Sequence, residues 1–434
     1  MVKRVKSFIG DMGPMVLLLV SLAVPLNLKV LGLLTVYTFD IALFVLYAVW
    51  LWELAREARP LPRLRVLDIA ALIMLGWFVL CAALGTNPLA SFDAVLFYVR
   101  MYLIYLYVAN NLRTATQSRN FVGLLLALIA IEGIVCAIQY VTKTNFGAIP
   151  DLVGATVRKV RIAPGQELGL AGLLYRARGT LGFDTHLGGW FVLLLPVAVS
   201  LWATNRKRSE QIVYGGVVAL GLAGLVLTFA RGAWMGVAVA MAVLFLMLAR
   251  RMGLSRQYLI ALGLAASILG LLLLAFWTPI QARLFSEKAL AGSVHVRTLL
   301  NRGAITMISD RPVAGVGPGN SSEVASQMDG LRYTIKGNLW IKVDNVYLLM
   351  ASETGLVGLE LFLAFLAVAG VSFYHVETGA SSFGASVGRG LLAGLVGVLS
   401  HAMIDWGFVG YMVFPLFWTL LGLGSSLRQL RDAT

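Results

Sequence analysis

The residues that invite a chemical reading are a few charged groups set in apolar sequence. Arg231 lies in Leu227-Thr-Phe-Ala-Arg-Gly-Ala-Trp-Met-Gly236, at a tight turn between two apolar runs. A guanidinium there suits a phosphate, because its planar fork binds oxyanions bidentately and keeps its charge; the plainer alternative is a side chain snorkelling to the interface. Asp344 and Asn345 stand where a long polar segment meets the next apolar run, and Glu353 follows about two and a half turns inside it. A carboxylate inside a span is costly and faces a cavity or a partner. Asp344 reads either as a helix N-cap or as a chemical group. Glu353 reads either as a chemical group or as an arginine's partner. Arg100, inside another apolar run, reads as a structural partner of Glu132 or Glu353. The stretch Asp310-Arg-Pro-Val-Ala-Gly-Val-Gly-Pro-Gly-Asn320 follows a short amphipathic helix, in which 297, 301, 304 and 308 share a face. Pro312 stops that helix, and the glycines then either offer N–H groups to a phosphate or form a plain connection.

The elements that must position these groups are membrane helices. The chain has 434 residues, 59% hydrophobic and 13% charged, with mean hydropathy +0.84. Soluble domains carry about 25% charged residues, so a soluble enzyme, a disordered chain and a disulfide scaffold are excluded. Spans of about 20 apolar residues are expected near 13–31, 34–55, 67–84, 92–110, 120–141, 187–204, 212–229, 232–249, 258–278, 344–371, 390–407 and 411–427. The fold class expected is an all-α polytopic membrane protein of about twelve transmembrane helices. Its organisation is helices 1–5 over 1–141, a first outer loop at 142–186, helices 6–9 over 187–278, a large helical outer loop at 279–343 and helices 10–12 over 344–434.

Net charge is +14, from 35 Lys+Arg against 21 Asp+Glu. Every second connection is basic, which places those loops and both chain ends in the cytoplasm. The two long outer segments break that pattern. The first carries Lys143, Arg158, Lys159, Arg161, Arg176 and Arg178; the second carries Arg283, Lys288, Arg297, Arg302, Arg311, Arg332, Lys336 and Lys342. They read as a basic surface near anionic lipid or as a site for an anionic substrate. The four histidines, His186, His295, His375 and His401, have no metal-ligand spacing, no phosphate-binding P-loop is present, and nothing calls for nucleic acid. Cys81 and Cys136 read as small core residues. Gly384-Ala-Ser-Val-Gly388 matches a nucleophile-elbow pattern only formally and is expected in a cytoplasmic loop.

The ordered set of motifs resembles the O-antigen ligase and O-antigen polymerase superfamily of bacterial envelope glycosyltransferases over roughly residues 175–365. It comprises Arg178-Gly-Thr-Leu-Gly-Phe183 before a span, the Ala-Arg-Gly turn, the Pro-Val-Ala-Gly-Val-Gly-Pro-Gly-Asn run and Asp344-Asn-Val-Tyr-Leu…Glu-Thr-Gly-Leu-Val-Gly358. The resemblance implies a GT-C-like fold in the bacterial inner membrane, with the active site on the periplasmic face. It implies an undecaprenyl-diphosphate-linked glycan donor, a glycan or lipid A core acceptor, membrane lipids as surroundings, no nucleic acid, and no cofactor or metal. By motif, Arg178, Arg231 and Arg297 bind the diphosphate, Asp344 and Glu353 are catalytic, and Asn345, Tyr347 and His186 orient substrate. Ligases of this group carry His where this chain has Asp344, which points to polymerisation of O-antigen or exopolysaccharide repeats. A ligase and a secondary transporter of a small anion are the alternatives.

Overall fold

The computed structural model describes residues 2–24, 26–30, 34–57, 64–143, 175–205, 207–252, 287–328, 342–379 and 382–432. Thirteen helices are among them: α1 Val2–Ala23, α2 Thr38–Glu57, α3 Val66–Ala83, α4 Pro88–Asn111, α5 Ala115–Thr142, α6 Asp184–Thr204, α7 Arg208–Thr228, α8 Arg231–Met252, α9 Glu287–Asp310, α10 Ser321–Gln327, α11 Val346–Glu377, α12 Ser382–His401 and α13 Phe414–Asp432. Nine of these described helices, α2 to α8 with α11 and α12, are long and apolar enough to cross a bilayer. The helical, multi-pass expectation holds. The span expected at 258–278 lies outside the described residues, as do most of 142–186 and much of 279–343.

Three boundaries differ from expectation. The first apolar run does not continue to residue 31. Its apolar helical part is Met12–Ala23, and an antiparallel hairpin, β1 Asn27–Val30 with β2 Leu34–Tyr37, follows. The helix stops two residues before Pro25, because the position preceding a proline is held out of helical geometry. Residues 384–388, expected in a loop, lie in the first turns of α12. The run at 390–407 is not one helix: α12 ends at His401, and a 3-10 turn, Trp406–Val409, follows.

The chain forms two compact units. The first comprises Met1–Val122, His295–Gly384 and Ala402–Thr434. Its core is aromatic: Trp418 of α13 stacks on Phe365 of α11 at 4.8 Å, and Phe414 meets Tyr98 of α4 edge-on at 5.8 Å. Gly422 lets α13 approach α4 so closely that a Cβ there would lie 2.9 Å from the Tyr105 carbonyl. The second unit comprises Gly123–Val294 and Ala385–His401. Its centre is α6, buried along nearly its whole length. A Cβ on Gly394 of α12 would lie 2.6 Å from the Leu193 carbonyl oxygen of α6, and one on Gly397 2.6 Å from the Gly236 carbonyl oxygen of α8. Small residues on one helix face allow this close packing, which replaces the hydrophobic drive that lipid removes.

Candidate active site

In the first unit the site begins with the cap of α11. Asn345, not Asp344, is the N-cap: its side-chain oxygen accepts from the backbone N–H of Tyr347 at 2.9 Å and of Leu348 at 3.1 Å. The Val346 N–H donates to the Ala402 carbonyl at 2.9 Å. The first N–H groups of the helix are thus satisfied without Asp344. The Asp344 carboxylate instead accepts from Nε of Arg297, on α9, at 2.7 Å. The two side chains are 25% and 38% exposed, so the pair is recessed but open to solvent. Burial pushes the Asp344 carboxyl above the ordinary carboxylate range; the Arg297 guanidinium pulls it back, and Asp405 pushes it up again.

Asp405 was missed in the sequence, because a continuous span was read through it. Its carboxylate accepts from the Gly407 N–H at 2.7 Å and caps the 3-10 turn. The Trp406 ring lies 5.4 Å from the Lys342 ammonium. A carboxylate inside an apolar run was the signal that would have found it. Tyr347 is half-buried in the first turn of α11.

Glu353 is buried deeper along α11, 3% exposed. Its carboxylate accepts from the Ser321 hydroxyl, at the start of α10, at 2.6 Å. Neither arginine pairing holds. Arg100 instead pairs with Asp40 at 3.0 Å, and Glu132 receives the N–H of Thr180 at 3.0 Å and its hydroxyl. Two residues after Glu353 the helix breaks: Gly355 has φ 73 and ψ 178. The glycine run wedges into that break. Val316 and Gly317 donate to the Ser352 and Glu353 carbonyls, both at 2.9 Å, and Leu356 donates to the Pro312 carbonyl at 2.8 Å. The Trp77 indole N–H takes the Thr354 carbonyl at 2.9 Å. The groups freed by the broken helix are therefore met by the loop. The N–H groups of Gly315, Val316, Gly317 and Asn320 all serve the fold, so those amides do not form a phosphate cradle. A Cβ at Gly315 would lie 2.5 Å from the Glu353 carbonyl carbon.

The buried face of α9 is set by Leu300, Ala304 and Met307, with Gly303 beside them. It shares Ala304 with the expected 297, 301, 304, 308 face and is turned from it towards Leu300 and Met307. Leu300 and Met307 form a cluster with Val316 and Ala325. Packing that face turns Arg297 towards Asp344.

The second unit holds Arg178, Arg231 and His186. A short strap fixes Arg178. The N–H groups of Arg178 and Gly179 donate to the Gln139 side-chain oxygen at 3.0 and 2.9 Å, and the Gln139 amide donates back to the Gly179 carbonyl at 3.0 Å. The Arg178 carbonyl accepts from the Gly182 N–H at 3.2 Å. Gly179 has φ +58, and a Cβ there would overlap the Glu132 carboxylate. Gln139 and Glu132, two turns apart on α5, thus set the backbone beside Arg178. Arg176 is paired with Asp184 and donates to the Thr228 carbonyl at 3.1 Å; the sequence had marked it only as one cation among several.

Arg231 is the first residue of α8 and is half-buried. The turn before it bends at Phe229, a fully buried non-glycine residue with φ 50. That left-handed backbone is costly for a bulky side chain and persists only where packing imposes it. Here the Phe229 ring meets Trp234 at 6.1 Å and Tyr140 at 6.2 Å. The Trp234 indole donates to the Leu225 carbonyl at 3.0 Å. His186 is buried in the first turn of α6, its ring 5.3 Å from Phe183.

Residues 216–363 match the family model described as O-antigen ligase. The match contains Arg231, Arg297, Asp344, Asn345, Tyr347 and Glu353; Arg178 and His186 lie before it. No curated protein matches the chain. The chain is therefore a multi-pass membrane protein carrying an O-antigen ligase family domain over residues 216–363.

Proposed function

We propose that this protein is a glycosyltransferase that moves a glycan from an undecaprenyl-diphosphate carrier to a sugar hydroxyl at the periplasmic face, polymerising O-antigen or exopolysaccharide repeats. The single observation that carries the reading is that Asn345 takes over the capping of α11, leaving Asp344 to meet Arg297 instead. A recessed carboxylate with a raised pKa is a better proton acceptor than a surface one. In the proposed step the acceptor oxygen bonds to the anomeric carbon as the carbon–oxygen bond to the diphosphate breaks. The hydroxyl proton goes to Asp344, and the electron pair leaves with the diphosphate. A single displacement inverts the anomeric configuration. Arg297, in the unit that holds Asp344, is assigned to the negative charge that grows on the leaving group, and Tyr347 and Asn345 to substrate orientation; for Arg178, Arg231 and His186 of the second unit the diphosphate-binding and orienting roles are those the family resemblance implies. Glu353, bonded to Ser321, supports the α10–α11 junction. The diphosphate bond supplies the driving force, so no nucleotide is consumed. The fold is assigned to the GT-C-like class, with both chain ends cytoplasmic.

Reconstitution in nanodiscs with a lipid-diphosphate-linked repeat unit tests the reaction. The expected products are free lipid diphosphate and an elongated glycan of inverted linkage; a retained configuration overturns the single displacement. Deletion of the gene followed by gel analysis of surface glycans separates the acceptors. Single repeats on the core indicate polymerisation, whereas full chains stranded on the lipid carrier indicate a ligase. A chain that moves a small anion across vesicles without making product is a transporter.

A further inference from the structure

The connection from α9 to α10 meets the membrane helices at a definite depth. At about 1.5 Å per residue the 18 residues of α3 cover roughly 27 Å, close to the ~30 Å of bilayer hydrocarbon, so the residue that follows it, Leu84, stands at a membrane boundary. Two bonds tie the connection to that level: the Thr86 N–H donates to the Val316 carbonyl at 2.8 Å, and Arg311 Nη1 donates to the Leu84 carbonyl at 3.4 Å. Between them the chain dips inward. The Leu356 N–H takes the Pro312 carbonyl at 2.8 Å, and a Cβ on Gly355 would overlap the Val313 carbonyl. The adjacent Thr354 carbonyl accepts from the Trp77 indole and the Cys81 thiol, which stand one to two turns before Leu84 on α3. Pro312 and Val313 therefore lie about one turn, roughly 5 Å, inside the boundary that Leu84 marks.

At that depth the connection presents apolar side chains outward. Val313 is 60% exposed, and Leu84 and Leu356 beside it are 57% and 47% exposed. The exposed strip runs on along α11 through Leu363 and Val371, interrupted by Glu360, and α11 is long and apolar enough to cross a bilayer. Val313 thus extends a lipid-facing surface. An apolar tip inside the boundary, with an arginine reaching back up to it, is the geometry of a snorkelling side chain. The Arg311 guanidinium is exposed, and its bond to Leu84 is long for a hydrogen bond, so its fork keeps donors for an oxyanion. Among the described residues no carboxylate pairs with it, the neighbouring Asp310 included.

We propose that residues 311–313 are a lipid anchor: Pro312 and Val313 enter the leaflet beside Leu84 and Leu356, and Arg311 takes the phosphodiester of a glycerophospholipid. The planar fork of an arginine holds two phosphate oxygens at once, and an apolar tip under a cationic rim binds a membrane interface through both area and charge. The occupant is the bilayer rather than a soluble partner, because the patch is continuous with the lipid-facing sides of α3 and α11. The anchor follows directly on α9, the helix that carries Arg297, and so ties that helix to the membrane surface. It does not depend on the glycan-transfer reading.

Electron paramagnetic resonance on the full-length protein, in nanodiscs of phosphatidylethanolamine and phosphatidylglycerol, tests the depth. A spin label on Val313→Cys is read for collision with oxygen, which concentrates in lipid, and with a nickel chelate, which stays in water; the native Cys81 and Cys136 are buried. Collision with oxygen should exceed collision with nickel. The reverse order puts the tip in water and overturns the anchor; protection from both puts it against a second copy or another protein and overturns it equally. A titration of phosphatidylglycerol into the delipidated protein, read by native mass spectrometry, tests the phosphate contact. Arg311→Gln should weaken uptake of the first phospholipid about fivefold, and uptake equal to the wild type's overturns the contact. Should the labelled protein fail to fold, the lipid titration decides alone. Neither readout involves turnover, so failure here leaves the proposed reaction standing, and failure of that reaction leaves the anchor standing.

Discussion

Replacing Asn345 separates the cap from the chemistry. Asn345→Ala removes the acceptor for two backbone N–H groups, at 2.9 and 3.1 Å. Losing an N-cap costs about 1 kcal/mol. The loss is local, because the Val346 N–H keeps its bond to Ala402 and the helix runs on from Val346 to the break at Gly355. For a chain of this size that corresponds to a Tm lower by about 2 °C. Asp344 is the residue before the cap, so fraying the first turn displaces its carboxylate from Arg297. A misplacement of about 1 Å can cost on the order of 100-fold in rate; with the Arg297 pair still able to re-form, about 10-fold is the expected loss. Asn345→Ser restores a capping oxygen and should recover both Tm and turnover. The assay is transfer from a lipid-diphosphate-linked donor in nanodiscs, beside thermal unfolding of the same samples. Asn345→Ser with normal Tm but turnover as poor as Asn345→Ala would refute the capping argument and give the amide a direct role on substrate.

Three further outcomes follow from the geometry. Gly355→Ala places a side chain at φ 73 against the Val313 carbonyl; strain of this kind costs about 1–3 kcal/mol before the overlap is counted, so monodisperse protein on size-exclusion should be lost. Because Asp344 must be ionised to accept a proton and its pKa is raised, turnover should fall with decreasing pH already above the ordinary carboxylate range. Arg297 opposes that rise, so Arg297→Gln should move the acidic limb of the pH–rate profile further up, and an unmoved limb contradicts the pair. Gln139→Ala unties three bonds of the strap beside Arg178, leaving buried groups unsatisfied at about 1–3 kcal/mol each before relaxation. Tm should fall and KM for the donor should rise more than kcat falls, which a donor titration measures.

Helical, multi-pass architecture was legible because composition and apolar run length are single-residue properties that the bilayer enforces. The pairings were less so. Arg100 finds Asp40 rather than Glu132 or Glu353 because a hairpin brings Tyr37 and Asp40 beside α4, and nothing in 13–31 announces that hairpin except Pro25. The glycine run looked able to hold phosphate, since glycine frees backbone N–H groups; in the structure those groups repair the break at Gly355. Two glycine signals 35 residues or more apart share one cause, which no local window shows. The choice between Asp344 and Asn345 as cap turned on one residue of helix phase, the quantity that sequence patterns fix least well.

Asp344→Asn tests the central claim most directly. The substitution keeps shape and removes charge from a partly exposed pair, so stability should change by no more than about 1 kcal/mol. Removing a positioned proton acceptor should slow turnover about 100- to 10,000-fold. Measured with lipid-diphosphate-linked donor in nanodiscs, the account predicts that the variant binds donor as the wild type does and makes almost no product. Product formation at the wild-type rate would contradict it.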